Sequence, residues 1–201
     1  RLEEAQNACR RLGAIFYPPL VPDLEIFYEK SLLAQVGSIA RQAAPDILLV
    51  PSPQDYMEDH TNACRLAVTA VFCRGIPNFP VVPPRPPVMN PVAVYHAQPY
   101  TNRDPLNRPV QPDFFIDISA VIEEKTAMLA EHKSQKDWLD HSQGVGAYLE
   151  AMRQSSREMG ALSGRCEYAE GWRRHNPIGF GPPGFDPLKE LLSAYIIEPA
   201  K

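Results

Sequence analysis

Apolar residues recur at helical spacing over the first twelve positions, where Leu2, Ala5, Ala8, Cys9 and Leu12 share one face and Gly13 ends the run. A short apolar run at residues 14–17 predicts a strand that stops at Pro18 and Pro19. Residues 32–44 return to helical spacing, with Leu33, Val36, Ile39, Ala40 and Ala43 on one face. Residues 46–50 (Asp-Ile-Leu-Leu-Val) then form an unbroken apolar run closed by Pro51, which predicts a buried, central parallel strand. The next helix starts near Glu58 and carries Leu66, Ala67, Ala70 and Val71. Further on, residues 92–95 and 114–118 read as strands, and 121–132, 147–159 and 188–194 as helices.

The order helix, strand, loop, helix is that of an α/β protein with a mostly parallel sheet flanked by helices. Between its halves lies a proline-dense stretch, residues 77–91, expected to be an irregular surface loop rather than a polyproline ligand. The chain has 22 prolines in 201 residues, roughly twice ordinary usage. Its hydrophobic content of 44% is ordinary for a globular protein, and a single α/β domain over residues 1–201 is the simplest organisation.

Charge removes several functions. Lys and Arg number 20 against 24 Asp and Glu, a net −4, so no global positive field draws in nucleic acid. No apolar run approaches the length of a membrane span. Four separated cysteines without a CxxC pair point to a reducing compartment, hence the cytoplasm. Assembly into homo-oligomers stays open.

In α/β sheets, ligands bind at the carboxyl ends of strands. The loop after residues 46–50 concentrates Asp55, Tyr56, Glu58, Asp59 and His60 within six positions. Asp55 and Glu58 have the spacing of a capping box, which would explain both acids as helix starters. It does not explain His60, because a charged imidazole is disfavoured in a first turn. A neutral His60 beside Asp59 is instead a candidate metal ligand oriented by a carboxylate.

The segment Asp55-Tyr56-Met57-Glu58-Asp59-His60 resembles the second motif of the PIG-L/LmbE family of zinc-dependent N-acetyl-sugar deacetylases. Three further segments agree in order: Arg1-Leu2-Glu3-Glu4 with the family's Arg-x-x-Glu helix, Lys125 through His132-Lys133-Ser134-Gln135 with its Lys…His-x-Ser-Gln helix, and Tyr168-Ala169-Glu170-Gly171-Trp172 with its Tyr-x-Glu-x-aromatic end. The resemblance implies a Rossmann-like fold and hydrolysis of the acetyl amide of a small N-acetylated amino sugar or its conjugate. It implies Zn2+ held by His60, and Asp59, by its place beside that residue, is read as the supporting carboxylate. Tyr56 is a candidate for a proton-donor role that is otherwise vacant, and Arg1 would meet substrate if its helix starts near the sheet edge, solvent exposure being the default at a chain end.

This sequence departs from the family pattern twice. The family's His-Pro-Asp-Asp loop, which supplies the other zinc ligands and the general base, does not occur, and is expected upstream of Arg1 in a longer domain. A second family histidine is replaced by Met57, which cannot donate a proton. A catalytically silent binding module on the same scaffold is the alternative. The remaining chemistry-bearing residues read mostly as ordinary: His132 as structural or as a support to the site, His96 as a satisfied loop histidine, His141 and His175 as surface, Glu170 as either a contact to the site or an ordinary carboxylate near Arg173 and Arg174, and Asp117, Tyr100, Trp138 and Trp172 as packing.

Overall fold

The computed structural model describes residues 1–136 and 146–199; the readings of Trp138 and His141 fall outside the described residues. Six helices are named among them: α1 (Leu2–Arg11), α2 (Lys30–Ala43), α3 (Glu58–Phe72), α4 (Ile122–Ala130), α5 (Ala147–Ser163) and α6 (Pro187–Leu191). The strands are β1 (Ile47–Val50), β2 (Ala93–Ala97), β3 (Phe114–Asp117), β4 (Ala169–Arg174) and β5 (Ile196–Ile197). No helix among the described residues is long and apolar enough to cross a membrane.

The chain divides into two compact units. The first gathers residues 1–19, 115–170 and 197–201. Phe115, Met159, Ala169 and Ile197 form its core cluster, with Cys166 packed against them. The second comprises residues 20–114 and 171–196. Its core collects Ala40 of α2, Val50 of β1, Cys64, Ala70 and Val71 of α3, Val92 and Val94 at β2, and Phe180. Helical spacing and the apolar runs place most of these inward, so local pattern and packing agree there, whereas Phe180 comes from a Gly/Pro-punctuated segment that no such pattern announces.

The strand order is β1-β2-β4-β3-β5. β1 and β2 are parallel, with Ile47 opposite Ala93 and Val50 opposite His96. β2 and β4 are antiparallel, with His96 opposite Arg173. The sheet is therefore mixed, and the expected mostly parallel arrangement narrows to the β1–β2 pair. The expected central position of β1 is also corrected, since β1 ends the strand order among the described residues. An apolar run fixes neither the number nor the direction of a strand's neighbours, and Leu49 is 51% exposed.

Residues 14–17, expected as a strand, lie outside every strand. β4 carries no apolar run. Its Arg174 is accommodated by pairing: the guanidinium contacts Asp186 at 3.0 Å, and Asp186 also accepts from the buried Tyr95 hydroxyl at 2.5 Å.

The Pro-rich stretch is ordered by two buried arginines, Arg41 and Arg74, which are 6% and 7% exposed. Arg41 donates to the carbonyls of Arg74, Ile76, Phe79 and Arg85. Arg74 donates to those of Val71, Asn90 and Phe180. Proline lacks an N–H, so a proline-dense loop has carbonyls in excess of backbone donors, and a guanidinium with five N–H groups supplies the difference.

Candidate functional site

Because β1 and β2 are parallel and in register, their carboxyl ends lie at one edge of the second unit, and both following loops leave from there. The first loop runs from Pro51 to Met57. Its base is fixed by the Ser52 hydroxyl, which accepts from Gln54 N–H at 3.0 Å and donates to the Gln54 carbonyl at 2.9 Å. Arg173 of β4 clamps the same turn, donating to Ser52 Oγ at 2.8 Å and Gln54 Oε1 at 2.7 Å.

Asp55 is buried behind this turn, 6% exposed, and one carboxylate oxygen makes two contacts. It accepts the Met57 N–H at 3.0 Å, forming an Asx turn that launches α3. The same oxygen lies 2.9 Å from His60 Nδ1. A proton on Nδ1 satisfies that contact, which leaves the Nε2 lone pair free of protein contact among the described residues, on a ring that is 42% exposed. The capping-box reading is replaced: Met57 occupies the N-cap without a side-chain hydrogen bond, and Asp55 serves the turn and the imidazole instead.

Asp59 does not do what was expected of it. Its side chain is buried and accepts the Leu24 N–H at 2.6 Å, where Leu24 holds a left-handed φ of 65°. The carboxylate that orients His60 is therefore Asp55 rather than Asp59. Sequence adjacency on a helix points Asp59 and His60 about 100° apart, whereas the residue five back, in the preceding turn, comes under the ring. Tyr56 stands edge-on to His60, ring centroids 5.9 Å apart, and is 62% exposed. Partial burial and then the Asp55 carboxylate raise its pKa, so the hydroxyl stays a donor at neutral pH.

A second histidine group lies below this edge. His96 Nε2 is 2.8 Å from His175 Nδ1, and His96 Nδ1 is 3.4 Å from the Cys64 sulfur. Burial, then the neighbouring His175, pushes His96 down to about 4. Burial likewise lowers His175 and raises the Cys64 thiol to about 11, so this thiol is not a nucleophile at neutral pH. His175 thus corrects its expected surface position: it is half-buried between His96 and Phe180. A lone His at a strand end carries no sequence signal for this pairing, which only the β2–β4 register creates.

The other motif residues belong to the first unit, except Gly171 and Trp172, which fall in the second. Glu4 accepts from Ser134 N–H at 2.8 Å and its hydroxyl at 2.7 Å, and Arg1 donates to Gln135 at 3.1 Å. Lys125 pairs with Glu170 at 2.6 Å. The segment from Lys125 to Gln135 is thus bonded to both of the other motifs, to Arg1 and Glu4 and to Glu170. Among the described residues, no group of three His, Cys, Asp or Glu side chains is arranged to hold a metal ion.

No known protein-family profile matches the chain. The chain is 28% identical over 187 residues to a diacetylchitobiose deacetylase of Thermococcus kodakarensis. That alignment takes in 86% of this chain and 61% of the relative, so the chain spans under two thirds of that protein's length. Among solved structures, the conserved protein TT1542 of Thermus thermophilus superposes with a TM-score of 0.70 at 27% identity, covering 87% of this chain and 72% of its own. GalB of Pseudomonas putida, a 4-carboxy-2-hydroxymuconate hydratase, shares the fold with a TM-score of 0.69 at 23% identity, over 87% and 70% of the two chains. So does the N,N'-diacetylchitobiose deacetylase of Pyrococcus horikoshii, with a TM-score of 0.69 at 21% identity, over 92% and 67%. One fold thus carries a deacetylase and a hydratase, so the fold alone does not define the reaction. The chain is an α/β protein with distant homology to a diacetylchitobiose deacetylase.

Proposed function

We propose that this protein is an amide hydrolase that removes the acetyl group from an N-acetylated amino sugar or its conjugate. The observation that carries the reading is the 2.9 Å contact between buried Asp55 and His60 at the carboxyl edge of β1. A carboxylate on Nδ1 selects one tautomer, so the basic Nε2 is aimed outward at a fixed angle. Such an imidazole can hold a metal or take a proton from water, and both serve amide hydrolysis. Tyr56, protonated beside it, would serve as a donor to the oxyanion or the leaving amine. The similarity to a diacetylchitobiose deacetylase supports the substrate class.

Zinc fits only in part. Catalytic zinc takes three protein ligands and an open position, and the described residues offer His60 without two companions. No step is therefore assigned to the metal. The His-Pro-Asp-Asp segment that the family resemblance calls for would complete the set.

That shortfall favours one second reading: a binding module on the same fold that has no hydrolytic activity. Acetate release from N,N'-diacetylchitobiose separates the two. The protein expressed from its complete coding sequence should release acetate, and a chelator should slow it. No release with zinc supplied leaves the silent module.

A further inference from the structure

The β1–β2 pair brings a second loop to the edge that carries His60. β2 ends at Ala97, and Tyr100 opens a short turn, Tyr100–Asn102. Within it Thr101 and Asn102 both hold left-handed backbone, with φ of 62° and 58°, although neither is glycine and threonine is β-branched. Such strain persists only where surrounding contacts over-determine it. Here Asn102 N–H donates to the Pro99 carbonyl at 2.9 Å, Val110 N–H to the Asn102 carbonyl at 3.0 Å, and Gln98 to the Val110 carbonyl at 2.7 Å.

Tyr100 is the first residue of this turn. Its ring stands 6.0 Å from the Tyr56 ring, inclined at 51°, and Tyr56 in turn is edge-on to His60. Both rings stay open to solvent, Tyr100 52% and Tyr56 62% exposed. Two open aromatic faces meeting at an angle, each with a hydroxyl at its rim, suit a ligand with an apolar face and polar edges.

We propose that Tyr100 and Tyr56 form an aromatic corner that takes the apolar C–H face of a pyranose ring and turns its N-acetyl group toward His60. The proposal rests on the amino-sugar reading above and adds the residues that orient the sugar. Tyr100 is then a substrate-positioning side chain.

The test is the affinity of this chain for N,N'-diacetylchitobiose, measured by calorimetry with saturation-transfer NMR to identify the bound face. Tyr100→Ala should weaken Kd roughly fivefold to tenfold, the size of one aromatic stacking contact, while Tyr100→Phe stays within about twofold. Tyr56→Ala removes the other wall and should weaken binding similarly. Unchanged Kd in both alanine variants, equal losses in Tyr100→Phe and Tyr100→Ala, or no binding by the unsubstituted chain would overturn the corner. Binding that depends on Tyr100 without acetate release from the complete protein removes the hydrolase reading and leaves the corner standing. Acetate release with a Tyr100-independent Kd and KM does the reverse.

Discussion

Asp55 Oδ1 lies 2.9 Å from His60 Nδ1, and the same oxygen accepts the Met57 N–H that starts α3. One buried oxygen therefore sets both where the helix begins and which way the imidazole faces. Asp55→Asn keeps the shape but offers a neutral amide in place of the carboxylate. Acetate release by the complete protein should fall about 10- to 100-fold, the usual effect of losing a group that orients a ligand histidine. The 15N shifts of His60 should lose the single Nδ1–H tautomer. Full activity in Asp55→Asn would remove Asp55 from the site.

Met57 stands at the N-cap of α3, three residues before His60 and without a side-chain hydrogen bond. Met57→His returns an imidazole to a position where the resembled family carries one. We expect kcat to rise on the order of 10²-fold, as general acid–base assistance does. Unchanged turnover with a lower melting temperature would mark Met57 as packing for the first turn.

The Pro-rich loop depends on guanidinium donors. Arg41→Met strips donors from the carbonyls of Arg74, Ile76, Phe79 and Arg85 in a buried setting. The expected loss is about 3 kcal/mol, which for a domain of this size lowers Tm by roughly 6–12 °C. Limited proteolysis should cut within residues 77–91 sooner. A Tm within about 2 °C of the parent would show that water replaces the guanidinium.

His96 links stability to pH. Its folded pKa is near 4, against an ordinary histidine value of 6.5 in the unfolded chain, so the unfolded chain binds more protons between those values. The stabilisation is complete above about pH 6.5 and is lost as pH falls toward 4. His175, also lowered by burial, contributes in the same direction. Arg173 and Cys64 are the other groups facing the ring. Melting curves from pH 4 to 7 should steepen over this window and flatten in His96→Gln; equal slopes would contradict a neutral, buried His96.

The helices and the β1 strand are legible because their apolar spacing is local. Leu33, Val36 and Ala40 declare a face, and Ile47 to Val50 declare a strand. The position of β1 at the end of the strand order is not legible, because an apolar run carries no information about how many neighbours a strand has. β4 is hidden for another reason: Arg173 and Arg174 look like a surface segment until Ser52, Gln54 and Asp186 are known to receive them. At the site, His60 stands out by residue type and placement. Its partner does not, since Asp59 is the nearer acid in sequence while Asp55 is the nearer one in space. Tyr100 carries no signal at all, since its meeting with Tyr56 depends on β1–β2 pairing and on two left-handed residues, neither of which a single sequence displays.

His60 is the proposed working group of this edge. The most direct measurement is acetate release from N,N'-diacetylchitobiose by the protein from its complete coding sequence, compared with its His60→Ala variant at matched zinc and confirmed folding. The variant should lose at least about 10³-fold in kcat/KM, because the imidazole aimed outward by Asp55 is gone. Equal rates in the two proteins would contradict it.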